Sequence, residues 1–209
     1  MIAYKFDMGQ KIKTDAKGIS VDRAFLAHLK WSATQAVAAD TDGIIDGAEG
    51  PNGEEAEALI LDSGDLIKQP PCARNLTVTI AATTAGDVSG NDIIITGKNL
   101  NGDAISETFA VTADTPATIT GSKAFASIDT ITIPVQDGAS VMVDVGWGDK
   151  LGIPYKLAHN TICYKNTYLD NVVEATEPTV TVSATVLESN TIDLNSALNG
   201  KVVDAYLMV

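Results

Sequence analysis

Positively charged residues and aromatic residues are both scarce in this chain of 209 residues. The sequence has 14 Lys and Arg against 27 Asp and Glu, which gives a formal charge of −13, and 5% of its residues are aromatic. Nucleic acids are bound through positively charged surfaces, so this balance argues against a nucleic-acid partner. The few aromatic residues also argue against a base-stacking platform or a sugar-binding cleft.

Long apolar runs are missing as well. The longest run has about five residues, whereas a helix needs about 20 apolar residues to cross a bilayer. The first residues, Met1–Asp7, lack the basic region and the following apolar stretch of a signal peptide. We therefore expect no membrane partner and a protein made in a cytoplasm.

Residues and motifs typical of catalysis and metal binding are few. The histidines are His28 and His159, and the sequence has no Gly-x-Ser-x-Gly elbow, no His-Glu-x-x-His pair and no cysteine cluster. The two cysteines, Cys72 and Cys163, lie far apart, and we expect free, buried thiols rather than a disulfide. The sequence therefore predicts a protein that is not an enzyme and that needs no cofactor and no metal ion.

Two short segments are rich in acidic residues or in glycine. Asp40–Asp46 places three aspartates close together but lacks the ligand order of an EF-hand, which favours a solvated acidic loop over a weak Ca²⁺ site. Gly146–Lys150 does not match a phosphate-binding loop. We expect a tight turn there, with Trp147 packed on a neighbouring element. The alternative is that Trp147 is an exposed anchor for a partner.

The composition of the chain changes near residue 70, and threonine is frequent from Thr77 onward. We predict an N-terminal region, residues 1–75, with an arm, a short helix and an acidic loop, and a β-sandwich domain, residues 76–209. One continuous β fold is the alternative. The helix is predicted from Ser20 to about Ala39, because Ser20 can cap it and apolar residues recur at helical spacing. Residues 40–65 carry nine acids and no Lys or Arg, and their glycines favour a loop.

From residue 76 onward, short segments alternate between apolar and polar residues. In a strand predicted at 76–82, Leu76, Val78 and Ile80 share one face. Asn101-Gly102 separates two further strands and is a pair preferred in type I′ hairpin turns. Turn signals about every 8–15 residues indicate a sandwich or a barrel. The fold class is therefore expected to be mainly β, an antiparallel β-sandwich or barrel-like body with an N-terminal arm and a short helix.

Several strings of the sequence resemble structural proteins of tailed bacteriophages and prophages, which are often encoded near the major capsid protein. The strings are Gly121–Phe125 with Ile128–Pro134, Val145–Tyr155, Asn190–Gly200 with Val202–Tyr206, and the hairpin Ile94–Thr108. They are turn-and-strand segments that fall within residues 74–209. The resemblance implies a virion protein, and among virion proteins a head decoration (cement) protein.

Such a protein binds the outer capsid lattice and stabilises it. The resemblance implies the major capsid protein and further copies of this chain, in a homotrimer, as partners. It also implies the surface of the virion head as the location, after assembly in the host cytoplasm. The alternatives are a tail tube or tail-decorating protein, and a host-binding spike or adhesin module.

Candidate contact residues lie mainly before the predicted β domain. Residues 1–30 carry a net charge of +3, so we predict that this arm contacts an acidic capsid surface. The candidate capsid-contact residues of the arm are Lys5, Lys11, Lys13, Lys17 and Arg23. Further candidate interface residues are Phe25, Leu29 and Trp147.

Overall fold

The structure is a computed structural model that describes residues 25–53 and 56–209. Within these ranges the chain forms fourteen β-strands and two short 3-10 helices, Ala85–Asp87 and Leu187–Ser189. In chain order the strands are β1 (Leu26–Trp31), β2 (Asp40–Glu49), β3 (Leu59–Asp62), β4 (Arg74–Ala82), β5 (Ile93–Lys98), β6 (Ala104–Phe109), β7 (Ala117–Phe125), β8 (Ser127–Ile133), β9 (Val141–Gly152), β10 (Ile162–Leu169), β11 (Val172–Val173), β12 (Thr179–Thr181), β13 (Thr191–Asp193) and β14 (Val203–Met208).

The strands form three sheets with antiparallel pairing. The first sheet has the strand order β1-β14-β10-β11, and the third has the order β3-β8-β5-β6. The second has the order β12-β13-β9-β4-β7, and β2 also pairs with β9. Together they form a curled, sandwich-like body. The expectation of a mainly β, antiparallel fold is therefore confirmed.

Two clusters of buried apolar side chains form the core. The larger cluster contains side chains of the second and third sheets, among them Leu76, Val78 and Ile80 of β4, which share one face as the sequence predicted. The smaller cluster contains side chains of the first sheet together with the end of β9, for example Leu29 and Leu151. Strand β9 contributes to both clusters, so it joins the two halves of the core.

Glycines let neighbouring segments of the chain approach β9 closely. A Cβ atom at Gly146 would overlap the carbonyl oxygen of Asp40 in β2, and one at Gly148 would lie 2.5 Å from the amide nitrogen of the Asn75 side chain. The tight turn predicted at Gly146–Lys150 is therefore wrong, because this segment lies within the 12-residue strand β9. Its glycines make room for neighbours instead of reversing the chain.

The short helix predicted from Ser20 to Ala39 is wrong for the residues that the structure describes. Leu26–Trp31 forms strand β1, which pairs with β14 from Leu26↔Met208 to Trp31↔Val203. Its side chains alternate between buried and exposed, with Leu29 and Trp31 buried. Pairing with a distant strand therefore outweighs the local helical spacing of the apolar residues.

The acidic segment, residues 40–65, contains two strands where the sequence predicted mostly loop. Strand β2 pairs with β9 through registers that shift twice, and β3 pairs with β8 along its whole length. Together with β1, these strands place residues from before position 75 in each of the three sheets. The N-terminal strands are thus built into the same sheets as the rest of the described chain.

The predicted hairpin between β5 and β6 is present, but its turn is of another type. The N–H of Gly102 donates to the carbonyl of Asn99 at 3.0 Å, and Gly102 has a φ of +82°. A type I′ turn needs a positive φ at both central residues, and Asn101 does not have one. The strands are therefore joined by a longer loop in which Gly102 supplies the left-handed residue.

A buried arginine fixes the segment before β2 against the start of β4. Arg74 is fully buried, its Nη1 donates to the carbonyl of Val37 at 2.8 Å, and its Nη2 lies 3.5 Å from Asp149 Oδ1. Burial lowers the pKa of the Arg74 guanidinium, and nearby Cys72 and Asp149 oppose that shift. One charged side chain of β4 thus contacts two other parts of the chain, the segment before β2 and strand β9.

We expect the variant Gly146→Ala to be destabilised, because the added Cβ overlaps the backbone of β2. The free energy of unfolding, measured by urea denaturation, should fall by about 2–4 kcal/mol. Gly86→Ala is the matched control, since the nearest atom to its Cβ would be 3.9 Å away. The control should differ from the parent by less than about 0.5 kcal/mol. Equal stability of the two variants would contradict the close contact between β2 and β9.

Candidate functional site

The first and last strands of the described chain build an exposed surface on the first sheet. Three cross-strand pairs, Leu26↔Met208, His28↔Tyr206 and Lys30↔Asp204, lie on its outer side. Just beyond them, Phe25 and Val209 exchange two backbone hydrogen bonds of 2.8 and 2.9 Å. We call these eight residues the terminal face, with Phe25 and Val209 closing its end and their side chains on the other side of the sheet.

Aromatic rings occupy the middle of the terminal face. The rings of His28 and Tyr206 are stacked, with centroids 4.4 Å apart and planes inclined by 6°. Tyr168 of β10 meets the Tyr206 ring edge-on at 6.3 Å. Mutual packing limits the rotamers of these rings, so they present a preformed surface. Tyrosine is enriched where protein partners bind tightly, and rigid aromatic anchors lose little entropy on binding.

A carboxylate beneath the rings links the two strands. Asp204 Oδ1 lies 2.7 Å from His28 Nε2 and 3.9 Å from Lys30 Nζ. The Asp204 side chain is 12% exposed, whereas the side chains of His28 and Lys30 are 44% and 61% exposed, so only the carboxylate is shielded from water. Asp204 therefore orients two side chains of β1 from the neighbouring strand β14.

The end of the terminal face is apolar. Leu26 is 61% and Met208 39% exposed on the outer side, whereas the exposed side chains of Phe25 (54%) and Val209 (37%) lie on the opposite side, as strand alternation requires. Single exposed apolar side chains are common on soluble proteins, but adjacent ones mark interaction sites. The terminal face thus combines exposed apolar side chains, stacked rings and a shielded carboxylate, a composition typical of a protein-binding surface.

The structure separates the candidate residues that the sequence placed together. Lys5, Lys11, Lys13, Lys17 and Arg23 lie outside the described residues. Among the others, Phe25 belongs to the terminal face, whereas Leu29 and Trp147 are buried in the two core clusters.

Trp147 is packed inside the chain rather than exposed. It is 4% exposed, and its Nε1 donates to the carbonyl of Ala38 at 3.1 Å. The interpretation of Trp147 as a packed residue agrees with this position, and the alternative of an exposed anchor does not. Leu29 likewise faces inward in β1, away from the terminal face.

Sequence reasoning missed Tyr206 and Met208 as surface residues. Period-two alternation along 202–209 places Tyr206 and Met208 on one face of a strand. Their cross-strand partners in β1 could not be identified, because that segment was expected to be helical. The stacking of His28 on Tyr206 depends on the pairing of β1 with β14.

Asp40 and Asp42 form a small acidic pair, and Asp40 lines a cavity. The cavity, of about 380 Å³, is lined by Asp40, Lys68 and Trp147 among others. The hydrogen bond to the Asp42 carboxyl, assisted by partial burial, raises the pKa of Asp40. In residues 25–53 and 56–209, no group of three or more His, Cys, Asp or Glu side chains is arranged to hold a metal ion.

The two cysteines are free thiols, and both are half-buried. Cys72 Sγ donates to the carbonyl of Gln35 at 3.5 Å. Burial raises the pKa of Cys72 to about 11, and the charge of Arg74 opposes the shift. Because the thiolate is the reactive form, Cys72 should be a poor nucleophile near neutral pH.

We expect Cys72 in a Cys163→Ser background to react slowly with iodoacetamide at pH 8. The rate, followed by mass spectrometry, should be at least about ten-fold lower than that of an ordinary thiol, because so little thiolate is present. The same protein unfolded in guanidinium chloride is the control and should react at the ordinary rate. Equal rates in the folded and unfolded protein would show that Cys72 is not shielded.

Removing the carboxylate of Asp204 should loosen the pairing of β1 with β14. We expect Asp204→Ala to lower the free energy of unfolding by about 1–3 kcal/mol, because His28 and Lys30 lose their charged partner. Asp129→Ala is the control: Asp129 also lies in a strand, β8, but is exposed. Thermal and urea denaturation measure the difference. If both variants lose the same stability, Asp204 has no special role.

Comparison with protein-family models, curated proteins and solved structures gives no match to this chain. Within the described residues, none of the helices has the length and apolar character needed to cross a bilayer. The function of the chain is therefore inferred from the terminal face, the charge distribution and the resemblance of its sequence strings.

Proposed function

We propose that this chain is a phage virion structural protein that decorates the capsid, binding the outer capsid lattice and stabilising it. The observation that carries the proposal is the exposed terminal face, which begins where the basic N-terminal segment joins β1. An apolar and aromatic surface next to a basic segment suits a large protein partner with an acidic surface.

The distribution of charge supports different roles for the N-terminal segment and for the rest of the chain. Residues 1–24 carry five Lys and Arg and three Asp, a net charge of +2, whereas the rest of the chain carries −15. The basic segment is attracted to acidic surface on the capsid, while the acidic body keeps away from nucleic acid. The proposed contact residues of the segment are Lys5, Lys11, Lys13, Lys17 and Arg23.

Stabilisation of the capsid follows from mass action. A protein that binds the assembled shell, and not its dissociated subunits, shifts the equilibrium toward the shell. A homotrimer strengthens this effect, because three linked binding sites act at a high effective concentration. The major capsid protein is thus the proposed partner, and no catalytic step is required.

Charge reversal in the arm should weaken capsid binding. We expect Lys11→Glu, Lys13→Glu and Lys17→Glu together to lower the affinity for undecorated, expanded capsids at least about ten-fold, measured by co-sedimentation. The control reverses three exposed lysines of the body, Lys98, Lys156 and Lys201, and should bind nearly as the parent does.

Two results would overturn the proposed function. One is the lack of saturable co-sedimentation of the intact chain with the capsids. The other is a labelled chain found on the tail, or at the tips of host-binding fibres, in electron micrographs of the whole particle. Self-assembly into long tubes of stacked rings without capsids, as opposed to small closed oligomers, would favour a tail tube protein instead.

A further inference from the structure

Strand β1 has one edge without a partner strand in the described part of the chain. It is the outermost strand of the first sheet, paired with β14 on one side. Because Phe25 and Val209 exchange hydrogen bonds and the pattern alternates, the backbone groups of Leu26, His28 and Lys30 point away from β14. These N–H and C=O groups form a ready template for another strand.

A groove lined mostly by apolar residues, with Lys30 and Gln35 among them, lies beside this open edge. Its lining includes Leu29 and Trp31 of β1, and across from them Cys72, Leu100 and Pro154. No residue of β14 lines the groove, so it is on the side of β1 that lacks a partner. Its volume is about 150 Å³, and a cavity of that size can hold a six-membered ring.

The start of the sequence has the pattern of a strand that fits such a site. Between residues 2 and 8, the apolar residues Ile2, Tyr4, Phe6 and Met8 alternate with Ala3, Lys5 and Asp7. An added strand gains affinity from main-chain hydrogen bonds and specificity from alternate side chains that enter pockets. Tyr4 and Phe6 supply rings for the groove.

The length of the connection permits the strand to reach a neighbouring copy. Residues 9–25 form a link of 17 residues, which reaches about 56 Å when extended. A domain of this size has a radius of gyration of about 17 Å. A hairpin back onto the same β1 needs only about 2–5 residues, so the link is long enough to cross to a neighbouring copy.

We propose that residues 2–8 of one copy add as a strand to the open edge of β1 in a second copy, with an aromatic side chain in the groove. The contact is head-to-tail, so it closes into a ring when the rotation between copies permits. It leaves Lys11, Lys13 and Lys17 free for another partner. The inference concerns self-association alone and does not depend on binding to a capsid.

Two complementary variants test the exchange of strands. Tyr4→Ser with Phe6→Ser removes the rings but keeps the edge and the groove, whereas Leu100→Asp keeps the N-terminal strand but places a charge in the groove. Leu100 is 42% exposed in the β5–β6 loop, so its replacement should leave the fold intact. Circular dichroism and thermal melting check this.

The intact chain should form oligomers that dissociate on dilution, measured by light scattering and sedimentation. Each variant alone should be monomeric, and an equimolar mixture of the two should form a species of twice the monomer mass. The control, Ala3→Ser with Lys5→Ser, changes the other face of the same segment and should associate like the intact chain.

Several outcomes would overturn the proposal. A monomeric intact chain, or variants that associate as the intact chain does, would exclude this contact. A mixture that stays monomeric would exclude docking between copies, and protection of the Lys30 amide from hydrogen exchange at every dilution would place the segment on its own β1. Lys30→Pro removes one N–H group from the open edge of β1 and leaves the hydrogen bonds to β14 in place. This variant should also block self-association of the chain.

Discussion

The close approach of β2 to β9 is the contact on which the rest of the fold depends. Strand β9 pairs with β4 along one edge, while β2 and β13 share the other. Its side chains enter both core clusters, with Val145 in the larger and Leu151 in the smaller. The lack of a side chain at Gly146 allows β2 to reach this strand. The second sheet thereby holds the first and third sheets in one body.

Local pattern was enough to predict the elements whose signal lies in neighbouring residues, even where the partner strands are distant, as for β4. The strand at 76–82 and the hairpin around Asn101-Gly102 could both be predicted, because the sequence pattern of each lies in neighbouring residues. The segment around Gly146 was not, since glycine looks the same in a turn and in a strand that another backbone approaches. Only the position of β2, about 100 residues away, distinguishes the two.

The terminal face was harder to predict than the fold class, because it is made by pairing the two ends of the described chain. The six residues of β1 fit a helical spacing of apolar residues as well as an alternating one. Once β14 is alongside, Leu29 turns inward and His28 stacks on Tyr206. The carboxylate of Asp204 could not be assigned a role from the sequence, because its partners lie 174 and 176 positions earlier.

The pairing of β1 with β14 also has a consequence for synthesis on the ribosome. His28 and Asp204 are separated by 176 positions, so at cellular rates of translation the partner of β1 is made roughly 10–35 s after β1 itself. During that interval Leu29 and Trp31 lack the neighbours that bury them in the finished protein. The first sheet is therefore completed last, and a nascent chain that stops before β14 lacks the terminal face altogether.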